Sequence, residues 1–314
     1  MLIVGEKMSC PASVKHKKTN WALWAMMAPG LVYILINNYI PMFGVFIAFK
    51  SIDYSKGIFQ SPWVGFQNFE YLFKTDDAFI ITRNTLVYNF AFIILDIVFG
   101  IAFAIMLNEI VSKLFKKVYQ TVLIMPQLIS MVIASYLVFA FLSEQNGFLN
   151  KTVLPAFGMK AISWYDATNA WPFILVLVHE WKTIGFSSIL YLSSIVGIDK
   201  EYYESAMIDG AGKWKQIWYI TLPCIKPTVV VLFLISVGRI FYSDFGLFYQ
   251  IPMNSGALYN VTNTIDTYVY RGLMQLNDIS MSSAAGLYQS VVGFIIVVLA
   301  NWAVRKVDAE NALF

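Results

Sequence analysis

The chain has 314 residues, of which 13% are charged and 58% hydrophobic, whereas a soluble domain is about 25% charged. That much apolar surface exceeds what one or two soluble cores bury, which excludes a soluble enzyme and leaves lipid to take the remainder. The 22 Lys and Arg against 19 Asp and Glu leave a net charge of +3, too little to point to nucleic acid, so the placement of the charges carries more than their sum.

The start Lys15-His16-Lys17-Lys18 precedes an apolar stretch too long for a signal peptide and without a small-residue cleavage site, and predicts a retained anchor. Cys10 and Cys224 offer neither a disulfide framework nor a metal cluster, and Cys10 follows no apolar run that would mark lipidation. Six apolar runs of about 20 residues or more follow, at 21–49, 86–107, 118–142, 172–196, 228–250 and 282–304. The first holds Pro29 and Pro41 and is expected to kink there, or to end early and continue along the interface. The pattern predicts an all-α integral membrane protein of six transmembrane helices in one domain, without internal repeats or linkers.

Lys and Arg accumulate in cytoplasmic loops. With the N-terminus inside, the inner segments carry thirteen (Lys7, Lys15, Lys17, Lys18; Lys113, Lys116, Lys117; Lys200, Lys213, Lys215, Lys226; Arg305, Lys306) and the outer ones seven. Both termini are therefore expected in the cytoplasm. The three outer segments, about 30 residues each, are long enough for short interfacial helices.

The inner connection from Gly197 to Pro227 is unlike a simple turn. Residues 202–208 are helix-compatible, Asp209 and Gly210 are expected to supply an N-cap carboxylate and a positive φ, and a second helix follows. There Trp214, Ile217, Trp218 and Thr221 recur at helical steps while Lys213, Lys215 and Gln216 face away, so this helix is expected to lie in the cytoplasmic interface. Without further information, an amphipathic hairpin with no partner is an equal alternative. Glu204-Ser205-Ala206, then Asp209-Gly210-Ala211, then nine residues after Gly210 the run Ile220-Thr221-Leu222-Pro223, resembles the EAA loop of permease subunits of binding-protein-dependent ABC importers. Ser205 departs from the Ala usual in that family, a small-for-small change.

The resemblance extends along nearly the whole chain. Ala28-Pro29-Gly30, Tyr39-Ile40-Pro41, Ala48-Phe49-Lys50, Val64-Gly65-Phe66-Gln67-Asn68-Phe69, Leu107-Asn108-Glu109, Met125-Pro126 and Val304-Arg305-Lys306 look like the carbohydrate branch, the LplB type. It implies a type I ABC importer permease fold, a cytoplasmic N-terminal segment at 1–20, a permease domain at 21–307 with its coupling helix in the loop at 200–227, and a tail at 308–314. The expected partners are a second homologous permease of a different chain, two ATP-binding cassette subunits carrying ATP and Mg, an extracellular solute-binding protein, the bilayer and an oligosaccharide. The chain would not itself be an enzyme, and its seat would be the bacterial cytoplasmic membrane.

Ionisable residues inside spans mark pathways or partners. Asp96 stands alone in the second span, with a polar contact between helices or subunits as the plainer reading. In the fourth, Glu180 and Lys182 are too close in sequence to share a helical face, whereas His179, Lys182, Thr183 and Phe186 make one stripe of donors and an aromatic, suited to sugar. Aligned back from the EAA loop, these four fall on positions where maltose-type permeases touch sugar. A cation at 182 would suit an anionic sugar. Arg239, Tyr242, Ser243 and Asp244 are the corresponding region of the fifth span, with mutual neutralisation of Arg239 and Asp244 an equal alternative.

No phosphate loop is present, since Gly210-Ala211-Gly212-Lys213 lacks a Gly at 207, where Met207 stands, and has Trp214 for the required hydroxyl. Neither His16 nor His179 has metal-ligand neighbours in sequence, and no nucleophile–base set is visible, so no cofactor is expected in this chain. A secondary transporter would also show six spans and buried charges but not the EAA spacing. A permease for another solute shares the loop and remains the nearer alternative.

Overall fold

The computed structural model describes residues 21–307; the segments at 1–20 and 308–314, and with them Cys10, His16 and the basic start, lie outside the described residues. The described chain is helical, and its only extended pairing is an isolated bridge between Lys50 and Trp63. It divides into two compact units between Phe46 and Ile47.

The first unit holds α1 (Trp21–Ile34), which passes through Pro29, followed by a π-helical turn at Leu35–Tyr39. Pro41 does not break the run. A proline removes one N–H and crowds the carbonyl four residues earlier, and the π-turn moves that carbonyl away, with Ile40 N–H bonding to Leu35 O instead. The same device recurs twice. The π-turn at Leu149–Val153 precedes Pro155, and that at Ile217–Thr221 precedes Pro223, each closed by the N–H of the residue before the proline.

In the second unit the spans are α2 (Asp76–Glu109), α3 (Lys113–Leu128) with α4 (Met131–Leu142), α5 (Trp171–Val196), α7 (Lys213–Val237) and α10 (Ile279–Val307). Between them lie α6 (Lys200–Ile208), α8 (Phe245–Gln250) and α9 (Ile265–Met274). With 34 residues, α2 is about 51 Å long, well beyond the roughly 30 Å of hydrocarbon. Asp76 and Asp77 sit in its first turn, where carboxylates complement the helix dipole. Pro172 stands in the first turn of α5, where its missing N–H costs nothing. Short helices at Gly57–Gln60, Gln67–Lys74 and Tyr259–Thr262 occupy the expected outer segments.

Two expectations are corrected here. The third run is two helices bent by 96° at Ile129 and Ser130. The fifth span is not 228–250: its helix starts at Lys213 and ends at Val237, followed by an irregular stretch at 238–244 and then α8. The π-turn before Pro223 lets the second helix of the 197–227 loop run into the span, so it is not a separate interfacial piece.

Two of the buried clusters stack along α2 and α5, the most extensive helix pair. One joins Tyr88, Phe92, Trp171, Leu175 and Val178 to Leu247 and Phe248 of α8, and the other joins Ala104, Leu107, Tyr191, Leu192 and Ile195 to Ile225 of α7. Phe173 and Leu177, on another side of α5, are 79% and 70% exposed. In a spanning helix such surface meets lipid or another subunit.

Candidate functional site

Both interrupted spans free backbone groups that hydrocarbon cannot satisfy, and side chains take up several of them. At the third-span break, Lys182 of α5 extends its ammonium to Ile129 O and, at 3.3 Å, to Pro126 O, the carbonyls at the end of α3. Ser130 Oγ then accepts from Ile133 N–H at 3.3 Å and caps α4. Gly185, close by on α5, sets this register: a Cβ there would stand 1.9 Å from Leu123 O of α3, so only glycine lets α5 and α3 approach so closely.

At the fifth-span break the partners are neutral amides and one carboxylate. Asn89 of α2 donates to Ile240 O (2.8 Å) and Tyr242 O (3.1 Å), and Gln289 of α10 to Phe241 O (2.7 Å). Asp266 of α9 accepts from Ser243 N–H and Oγ–H, both at 2.7 Å. Asp244 Oδ1 takes Leu247 N–H at 3.2 Å and so caps α8. The two breaks are neighbours, since a Cβ on Gly246 would lie 2.7 Å from Met131 Cγ.

The structure sorts the predicted residues accordingly. His179 and Thr183 turn to α2, with His179 Nε2 3.3 Å from Asp96 Oδ2 and Thr183 Oγ donating to Asp96 Oδ1 at 2.8 Å. Lys182 turns to the third-span break and Phe186 is exposed. The stripe is a single helical face, but a face wide enough to meet two neighbours. Arg239 and Asp244 form no ion pair among the described residues, because Asp244 is engaged as a cap; both are exposed, as is Tyr242, while Ser243 is held by Asp266 and by Thr264 at 2.7 Å. Sequence spacing gave His179 no metal-ligand neighbours, yet the fold places Asp96 and Glu180 beside it. Asn89, Gln289 and Asp266 were missed. Asn89 and Gln289 had one available signal, an amide inside an apolar run, which in membranes serves as interhelical glue.

The loop at 197–227 is ordered by its own backbone. Asp199 caps α6 through Glu201 N–H (3.1 Å). Its far end is a Schellman turn, with Ala211 N–H on Ala206 O (2.8 Å), Gly210 N–H on Met207 O (3.1 Å), and Gly210 at φ 77°. Asp209 is therefore the C-cap of α6 and not the N-cap of α7, whose cap position is Gly212. Gln216, expected to face away, is buried with its amide on Ala211 O at 2.9 Å, while Trp214, Trp218 and Tyr219 are exposed. Tyr203 Oη meets Thr221 Oγ at 3.0 Å, and Lys213 pairs with Glu109 of α2 at 2.9 Å. Glu204, Ser205, Asp209 and Gly210 are left exposed, Ala206 and Ala211 half-buried, and the closing Ile220 and Leu222 half-buried before exposed Pro223. The loop thus presents a preformed bend with small residues on its surface.

Apolar spanning helices broken beside one another, with a helix–bend–helix loop between two spans, are the architecture of a multi-pass membrane transport protein. The chain belongs to the family of binding-protein-dependent transport system inner membrane components, whose model matches residues 96–309. Protein LplB of Bacillus subtilis (strain 168) is 34% identical over 315 residues, 99% of this chain and 96% of that protein. The polygalacturonan/rhamnogalacturonan transport system permease protein YteP of the same organism is 35% identical, over 92% of this chain and 89% of its own. A crystal structure of a bacterial ABC transporter involved in the import of the acidic polysaccharide alginate superposes with a TM-score of 0.83 at 35% identity, over 92% of this chain and 96% of that one. The carbohydrate-branch resemblance of the sequence is thereby upheld, and the secondary-transporter alternative falls.

Proposed function

We propose that this chain is a permease subunit through which an ATP-driven importer moves oligosaccharide fragments of an acidic polysaccharide. Its path runs past the two adjoining breaks, with Lys182, Phe186, Arg239, Tyr242 and Asp244 toward the solute and His179, Thr183 and Ser243 holding the helices that carry them. The observation that carries this reading is Lys182. Its ammonium is held by two helix-end carbonyls and, with the residue only 6% exposed, sits buried at a helix break, where transporters take charged solute groups. Phe186, about one turn further along α5 and 54% exposed, offers a ring for a sugar face. The names of the relatives point to the same solute class.

In this reading Glu204, Ser205, Ala206, Asp209, Gly210, Ala211, Ile220, Leu222 and Pro223 form the coupling surface for the ATPase. Two ATP-binding cassette subunits supply ATP and Mg, a second permease completes the path, and an extracellular binding protein delivers the solute. Both termini lie in the cytoplasm, so an impermeant thiol reagent labels cysteines introduced at 151–160 and not at 205–213 in intact cells.

The test is uptake by the complete importer in proteoliposomes, with its binding protein and matched neutral and uronate oligosaccharides. Wild type should prefer the uronate, and Lys182→Gln, which retains an N–H donor for the carbonyls but no charge, should lower that preference about tenfold. Equal uptake of both sugars by wild type, or an unchanged preference in the variant, counts against the reading.

A further inference from the structure

We propose that Asp96, His179 and Glu180 form a binding site for a divalent first-row metal ion, of which Zn2+ is the natural representative, joining α2 to α5 inside the membrane. One donor atom from each of the three lies within 4.8 Å of the other two. Two ligands at about 2.1 Å on a tetrahedral ion stand roughly 3.4 Å apart, and His179 Nε2 and Asp96 Oδ2 are already 3.3 Å apart. Closing the wider gap to Glu180 is within the reach of a glutamate rotamer.

Glu180 points to the ligand independently. It is 8% exposed, both carboxylate oxygens are buried, and neither has a hydrogen-bond partner. Its surroundings are otherwise apolar, namely Leu95, Phe99, Phe103, Val176 and Ile184. Among the described residues no Lys or Arg is within ion-pair distance of either carboxylate. The adjacent cation, Lys182, is directed to Pro126 and Ile129. Two carboxylates brought together in a low-dielectric site are costly to hold in their charged, ligating forms. A bound dication offsets that cost.

The supporting groups are those a metal site requires. Thr183 Oγ holds Asp96 Oδ1 at 2.8 Å, leaving Oδ2 free to ligate. Phe92 stacks on the His179 ring at 3.7 Å between centroids and 9° between planes, which fixes the imidazole's aim. The imidazole selects the transition-metal class over Ca2+ or Mg2+, which prefer all-oxygen shells. Asp96, less buried than Glu180, marks the side from which an ion enters.

The site is tested on the complete importer, purified with a tag free of histidine, stripped with chelator, reloaded with Co2+ and desalted. Wild type should retain about one Co2+ more per copy of this chain than His179→Gln, and should show the visible absorption of a low-symmetry cobalt site. Zn2+ should displace it and raise the thermal midpoint. Glu180→Gln should bind at least tenfold more weakly. Wild type retaining no more cobalt than His179→Gln, or responding to Ca2+ and Mg2+ and not to Zn2+ or Co2+, overturns the proposal. Should either variant fail to assemble, the strip-and-reload spectrum of the wild type decides alone.

Discussion

The two interrupted spans solve one problem in different ways. At Ile129 and Ser130 the interruption is short, the chain turns by 96°, and one charged side chain from a third helix receives the freed carbonyls. At 238–244 it is long, and neutral amides from α2 and α10 with a carboxylate from α9 share the backbone groups. Concentrating the burden on one residue gives a sharp joint with a single point of failure. Spreading it over three elements gives a joint that tolerates the loss of any one.

The comparison breaks most completely at Gly185. Gly185→Val puts a side chain where α3's backbone already stands, so α5 must withdraw and Lys182 loses its carbonyls. Overpacking of this kind costs about 3 kcal/mol or more, and the expected outcome is little or no monodisperse importer by size-exclusion chromatography. A Gly185→Val importer of normal yield and thermal midpoint would mean the helices are further apart than described.

The next effect is that of Lys182→Met, which keeps the stem and removes the donors. Carbonyls deprived of a charged partner cost about 1.5–3 kcal/mol, read as a lowered thermal midpoint, with Lys182→Gln intermediate. The smallest is Gln289→Leu, which removes one neutral bond to Phe241 O and one to the Asp266 carboxylate at 3.1 Å; because Asp266 keeps both Ser243 donors, the loss should be about 1–1.5 kcal/mol. A larger loss for Gln289→Leu than for Lys182→Met would reverse the contrast between the concentrated and the distributed joint.

Much of this was legible in the sequence for physical reasons. Spans declare themselves by apolar length, and the loop at 200–227 by small residues and a Gly210 that takes φ 77°. The breaks did not, because Leu128, Ile129, Met131 and Val132 keep the run apolar around Ser130, and hydropathy does not register direction. In the fifth span Arg239 and Asp244 were visible, but their charges suggested a pair inside a helix and not the end of one. Asp96 and His179 lie 83 residues apart, so no spacing rule joins them, and Glu180 gained its meaning only from the apolar surroundings the fold gave it.

The 25 residues from Lys213 to Val237 form one helical span about 37 Å long, joined to the bend at Asp209 and Gly210 at one end and released into the 238–244 stretch at the other. Over that length a tilt of about 5° at the base would displace the tip by about 3 Å, roughly one hydrogen-bond length. Asn89 and Gln289 grip the carbonyls just beyond the tip, so a displacement of that size at the tip would match the length of the bonds that hold it.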